Sequence, residues 1–318
     1  MFDGKTVLVT GGTGSFGNAF IPWLLKKPIR KVIVYSRDEY KQWCMAKQIN
    51  DSRVRWFLGD IRDRLRLTHA MANSDICIHA AALKHVTALE YNPQEAIKTN
   101  VDGTQNVINA VIDSPCRQAV LLSTDKACDP VNLYGATKMV AEKLWIASNV
   151  HKPSFSFVRY GNVMESRGGV LGIWRDALRV GMDHLEITDT RMTRFWVTYS
   201  MAIKAIELAL DCPPGLGVVA KAKPFTLLSL AWALAEQYGR KIEVNEIGRQ
   251  TGEKLHETLI TEYEGERCED AETAYVLPPL PAFDDTMVYP GWPLVGEGFT
   301  YESCQNGKMT AEEIGRML

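Results

Sequence analysis

The chain has 318 residues, 36 basic and 38 acidic, with a formal net charge of −2 and 46% apolar residues. Its length fits one large lobe carrying a second, smaller one, and its balanced charge, with no block of one sign, argues against nucleic acid or an anionic membrane as partner. No apolar stretch approaches the roughly 20 residues of a bilayer span, and the N-terminal MFDGKTVLVTGG turns directly into a strand pattern, so a soluble, cytoplasmic protein is expected.

Apolar, β-branched runs punctuate the first half, at residues 5–10, 31–36, 54–59, 76–81 and 119–124, with helical patterns between them such as 16–27 and 94–113. Continuous apolar strands alternating with helices predict an α/β fold built on a parallel, doubly wound sheet. Near residue 166 the alternation weakens. Short strand-like pieces (185–188, 242–247) mix with a helix-like one (226–238), which predicts a smaller lobe. Residues 264–307 carry Pro278, Pro279, Pro281, Pro290 and Pro293, and are expected to be extended or looped. The division expected is 1–165, with a returning segment at about 195–218, against 166–194 and 219–318. Seven cysteines, at 44, 77, 116, 128, 212, 268 and 304, form no close pair and read as reduced thiols, not as a disulfide or zinc framework; no metal is expected.

VLVTGGTGSFGNAF sets Gly11, Gly14 and Gly17 between the first strand and the first helix. Such a turn needs a positive φ, close approach of a pyrophosphate leaves no room for a side chain, and the helix start attracts anions. Thr13, Ser15 and Phe16, inside the same turn, join the predicted dinucleotide site, and the large lobe becomes a Rossmann-type domain. An acid about 20 residues on usually takes the ribose hydroxyls of NAD. Here Ser36 and Arg37 stand in that place, with Lys41 one helical turn later, which favours the 2′-phosphate of NADP over NAD. Asp60 and Ile61 in LGDIRD could bracket an adenine. Ala80, Ala81 and Ala82 in HAAALKHV would let the backbone pass close to the cofactor, with Lys84 and His85 beyond them.

The fifth strand ends in STDKA, on the carboxyl edge where ligands bind in open α/β sheets. Ser123 lies beside the cofactor, and Tyr134 and Lys138 share a face of the next helix. A neighbouring ammonium and a cationic nicotinamide favour a phenolate, so Tyr134 could take a proton from a sugar hydroxyl held by Thr124. A plain dehydrogenase has no need of Asp125 and Lys126. Once carbon 4 is a ketone, the hydrogen on carbon 5 is acidified; Lys126 with a depressed pKa could remove it, and Asp125 with a raised one could protonate the departing hydroxyl.

TGGTGSFG, VYSRDEYKQ, IHAAALKHV, STDKA with NLYGATK, RYGNV, ITDTRMTRFW and GEKLHE together resemble the extended short-chain dehydrogenase/reductase superfamily and, within it, the C5-inverting UDP-N-acetylglucosamine 4,6-dehydratases, from about residue 3 to about 262. The resemblance implies oxidation at carbon 4, loss of water across carbons 5 and 6, and return of the same hydride to carbon 6 of a UDP-hexosamine, with a tightly held NADP regenerated each turnover. It implies Thr124, Asp125, Lys126, Tyr134 and Lys138 as catalytic, Lys84, Asn162, Arg194 and Glu253 as facing the UDP-sugar, and a homo-oligomer. NVMESRGGV departs from the pattern at Met164 and Glu165, and Gln250-Thr251 replaces an Arg-Pro before GEKLHE, which bears on sugar identity. A sugar-nucleotide epimerase, a dehydratase acting elsewhere on the ring, and a non-catalytic NADP sensor stay open as alternatives.

Overall fold

The computed structural model describes residues 1–279, 291–305 and 307–318. Strands β1 (Thr6–Thr10), β2 (Lys31–Ser36), β3 (Val54–Leu58), β4 (Ile76–His79), β5 (Gln118–Leu122) and β6 (Ser154–Arg159) pair in parallel in the order β3-β2-β1-β4-β5-β6. Strand Gly217–Ala220 joins β6 in parallel, and Ala274–Leu277 and Glu269–Asp270 complete the sheet antiparallel. All of β1 is buried, as are β4 and most of β2 and β5, because helices cover both faces. The strand order reverses between β1 and β4, and a cleft opens above their carboxyl ends.

The proline-rich tail contributes more than loops. Its strands Glu269–Asp270 and Ala274–Leu277 extend the main sheet, and Tyr301–Glu302 pairs with Thr258–Ile260, although Pro281 and Pro290 lie outside the described residues. Edge strands are where neighbouring prolines are tolerated, because one side of such a strand needs no ladder donor.

The predicted helix over 94–113 is instead Pro93–Ala96, a π-helical turn Ile97–Asp102 and the α-helix Gly103–Ile112. The wider turn presents Asn100, whose amide accepts from Leu83 N (2.9 Å) and donates to Leu83 O (2.9 Å), tying down the loop after β4.

In the smaller lobe, Pro224–Thr226 pairs antiparallel with Thr193–Val197, which pairs in parallel with Asn162–Val163. His184–Ile187 pairs with Glu243–Glu246, and helices Val170–Arg179 and Leu227–Gln237 pack against these strands on a separate core that includes Trp174, Leu178, Phe225 and Leu234. Among the described residues no helix is long and apolar enough to cross a membrane.

Candidate active site

A cleft of about 1000 Å³ runs from the glycine-rich turn, across the ends of β4 and β5, into the smaller lobe. At one end Gly11 has φ +64°, and a Cβ there would sit 2.8 Å from Ala81 Cα; one at Gly17 would sit 2.0 Å from Gly12 O. Only glycine allows the turn to close on Ala80 and Ala81 and the helix Ser15–Leu24 to start so near β1. That helix begins at Gly14 with no side-chain cap, leaving its first N–H groups to an anionic ligand. Gly14, Ser15 and Phe16 line the cleft there. Thr13 is buried, its hydroxyl bonded to that of Ser36 at 2.6 Å.

The acid whose direction matters most for the adenosine end is Asp38. Its carboxylate caps the helix Glu39–Gln48, accepting from Lys41 N at 2.9 Å, and pairs with Lys41 Nζ at 2.6 Å. Arg37 reaches Asp60 at 3.6 Å, and Arg62 holds the same carboxylate at 2.8 Å. Burial pushes the Asp60 carboxyl up, but the hydrogen bonds from Arg62 and the charge of Arg37 outweigh it and leave it below the usual range. Ile61 is buried, with its side chain against Gly103.

At the other end, Thr124 caps the short 3-10 turn Asp125–Ala127 that follows β5. Its hydroxyl donates to Asp125 Oδ1 at 2.9 Å, and Lys126 Nζ meets the same oxygen at 3.1 Å. Asp125 is 1% exposed, so the pair faces inward. Asn132 starts the helix Leu133–Ala147 by accepting from Gly135 N (2.8 Å), and its amide donates to Gly252 O in the smaller lobe (2.8 Å). This helix presents Tyr134 to Thr124, with which it shares a hydrogen bond, and Lys138 to the end of β5, where Nζ donates to Leu122 O at 2.8 Å. Ser123 donates to the buried Glu142, one turn beyond Lys138.

Burial pushes the Tyr134 phenol up to about 12, against the pull of Lys126 and Thr124. Burial also brings the Lys138 ammonium down to about 8, with Glu142 opposing. Lys126 differs from the depressed amine expected from the sequence. Burial draws it down, but the carboxylates of Asp125 and Glu257 outweigh burial and hold it well above the ordinary lysine range. Lys84 is lowered, by desolvation and by the Lys126 charge, and its Nζ lies 3.4 Å from Ser166 Oγ.

From the smaller lobe, Asn162, Arg194 and Glu253 line the cleft. Asn162 Oδ1 is buried without a partner among the described residues. Arg194 is buried, and its guanidinium donates to the carbonyls of Thr193, Lys254 and Leu255, while Glu253 accepts from Gln250 N at 2.9 Å. Met164 is buried at the cleft wall, and Glu165 is exposed, beside a separate hollow.

Two side chains escaped the sequence reading. Asn100 carries no catalytic signature, and only its place inside a helix marks it. Glu257 closes the GEKLHE stretch, four residues after Glu253, and its Oε1 lies 3.1 Å from Lys126 Nζ. That spacing was the available signal.

The sequence profile of the family described as "Polysaccharide biosynthesis protein" matches residues 7–279, past the stretch over which the motifs alone could be followed. A UDP-N-acetylglucosamine 4,6-dehydratase (inverting) of Campylobacter jejuni is 42% identical over 98% of this chain and 96% of its own. A UDP-glucose 4-epimerase of Rickettsia rickettsii is 38% identical over 87% of this chain and 84% of its own. The crystal structure of Pen from Bacillus thuringiensis superposes with a TM-score of 0.90 at 33% identity, covering 100% of this chain and 97% of that one. The chain therefore belongs to the polysaccharide biosynthesis protein family, on the extended short-chain dehydrogenase/reductase fold and alongside the inverting UDP-N-acetylglucosamine 4,6-dehydratases.

Proposed function

We propose that the protein is an inverting UDP-N-acetylglucosamine 4,6-dehydratase, forming a 4-keto-6-deoxy sugar nucleotide inverted at carbon 5. The carrying observation is the Asp125–Lys126 pair at 3.1 Å, turned into the same cleft as Tyr134 and the glycine-rich turn. An acid–base pair of this kind serves elimination, and a simple oxidation at carbon 4 does not require it.

The smaller lobe holds the sugar nucleotide, with Lys84, Asn162, Arg194 and Glu253 facing it; it spans 166–194 and 219–318 together with the strands Asn162–Val163 and Thr193–Val197 that share its sheet, less Glu269–Asp270 and Ala274–Leu277, which belong to the main one. The cradle at Gly11, Gly14 and the uncapped helix start suits a pyrophosphate, with Thr13, Ser15, Phe16, Gly17, Ala80, Ala81 and Ser123 around the dinucleotide and Asp60 and Ile61 at its adenine. NADP is the cofactor assigned, in preference to NAD. Asp38 is committed to capping its own helix and to Lys41, so no free acid stands there to repel a 2′-phosphate, and Arg37 and Lys41 would turn from Asp60 and Asp38 to meet it beside Ser36. When bound, the oxidised nicotinamide supplies a hydride acceptor that later becomes the donor, and a positive charge that favours the Tyr134 phenolate.

Tyr134 takes the proton of the 4-hydroxyl, Thr124 holds that oxygen, and Lys138 supports the phenolate from one turn away. With carbon 4 oxidised, one proton passes within the ion pair from the Lys126 ammonium to Asp125. The neutral amine then removes the proton on carbon 5, the carbon 6–oxygen bond breaks, and Asp125 gives its proton to the departing oxygen, which leaves as water. Lys126 is again an ammonium and Asp125 a carboxylate; the product then requires the hydride taken from carbon 4 to be returned at carbon 6 and a solvent-derived proton to enter carbon 5 from the opposite face, which completes the turnover with the pair restored. The enzyme works as a homo-oligomer, as the resemblance implies.

Epimerisation at carbon 4 is the second reading, favoured by the Rickettsia relative. Incubation with UDP-N-acetylglucosamine in deuterated water separates the two. Dehydration gives a product lighter by the mass of water, labelled at carbon 5; an unlabelled isomer of unchanged mass would favour the epimerase.

A further inference from the structure

Lys126 has a second carboxylate for which the scheme above has no task. Glu257 is 1% exposed; Oε1 lies 3.1 Å from Lys126 Nζ and 3.6 Å from Arg194 Nε, while Oε2, like Asp125 Oδ2, is buried without a partner among the described residues. Its backbone is fixed on both sides by Ser303, through Glu257 N to Ser303 Oγ (2.8 Å) and Ser303 N to Glu257 O (2.8 Å). The chain thus mounts a buried charge rigidly, from a different segment, between Lys126 and Arg194 and nearer the lysine. Desolvating a carboxylate is costly, and where no packing or exposed pairing calls for it the charge is held for its effect on its neighbours.

We propose that Glu257 is the positioning residue of Lys126, holding its amine against Asp125 so that one proton can pass between them and the two can serve as base and acid on adjacent carbons. This rests on the dehydratase reading. The groups facing Lys126 are Asp125, Glu257, Arg194, Lys84 and Tyr134. With Glu257 present, Lys126 is seated between two carboxylates, 3.1 Å from each. Without it one of the two carboxylates that seat the lysine is gone, and Lys126 can turn on its remaining contact with Asp125, so the base and the acid lose their alignment on adjacent carbons. The effect falls on elimination, because Tyr134 and Thr124 touch neither Glu257 nor Arg194 in their hydrogen bonding.

The test compares wild type, Glu257→Gln and Glu257→Asp as complete chains with bound cofactor. It follows substrate-driven cofactor reduction, deuterium entry at carbon 5, KM against kcat, and the pH profile. The expected result for Glu257→Gln is reduction retained, deuterium entry and kcat lowered at least about tenfold, KM little changed, and the Lys126 limb moved at least about one pH unit lower; Glu257→Asp should recover part of the rate. All steps falling together with the pH profile unmoved would overturn the inference, as would a Glu257→Gln variant that eliminates at the wild-type rate. If wild type itself incorporates no deuterium while binding substrate, the dehydratase reading falls and takes this inference with it.

Discussion

Gly135 offers a test of whether the geometry of the Asp125–Lys126 turn, and not merely its composition, governs the reaction. A Cβ at residue 135 would lie 2.0 Å from Lys126 O and 3.1 Å from Pro130 Cβ, against an ordinary contact of 3.4 Å or more. The first obstacle is backbone, so no rotamer change relieves it. Either the start of the helix Leu133–Ala147 or the turn carrying both reacting groups must move by more than about 1 Å, and a displacement of that size costs roughly 100-fold in rate. Overpacking of this kind also costs about 1–3 kcal/mol, which lowers Tm by a few degrees in a chain of this size. Gly135→Ala should therefore melt a few degrees lower yet stay folded, and lose about two orders of magnitude in kcat, measured by mass as water loss from the sugar nucleotide. Wild-type turnover at an unchanged Tm would refute the placement of Lys126 against this helix.

Lys126→Ala should still reduce bound cofactor when substrate is added but stall before elimination, seen as persistent reduced-nicotinamide absorbance without loss of water; full turnover would remove Lys126 from its role. Tyr134→Phe should block even that first reduction, and an undiminished absorbance rise would contradict the assignment. Lys138 makes a prediction with a definite sign. Its pKa falls from 10.5 unfolded to about 8 folded, so between those values the unfolded chain binds more protons and stability rises with pH. The buried ammonium costs about 3 kcal/mol at neutral pH. Wild type should therefore gain stability relative to Lys138→Met as pH climbs from about 8 to 10 in thermal melts, while the variant loses turnover; a difference flat with pH would contradict this. Arg37→Ser should weaken 2′,5′-ADP binding by roughly tenfold or more and leave ADP nearly unchanged in calorimetry, whereas equal loss for both, or for neither, would remove Arg37 from the 2′-phosphate.

The parallel half of the sheet was legible because strands covered on both faces must be apolar throughout, and β1, β2 and β5 announce themselves that way. The glycine-rich turn was legible because close backbone approach leaves few residue choices, as Gly11 and Gly17 illustrate. The antiparallel strand Ala274–Leu277 was hidden because nearby prolines suggest loops, and pairing with Gly217–Ala220 is a contact across the chain that no local signal carries. The break at Ile97–Asp102 was hidden for a similar reason: Asn100 is needed by Leu83, seventeen residues away, not by its own helix. At the site, STDKA and Tyr134 with Lys138 could be read from spacing. The direction of the Lys126 shift could not, since burial is opposed by two carboxylates together, Asp125 next to it and Glu257, whose distance from Lys126 in sequence conceals a 3.1 Å contact.

The central claim is that hydrogen removed from carbon 4 is returned to carbon 6 of the same sugar. Substrate deuterated at carbon 4 should yield product carrying that deuterium at carbon 6, even when mixed with excess unlabelled substrate. Deuterium that stays at carbon 4, or passes to other substrate molecules, would contradict it.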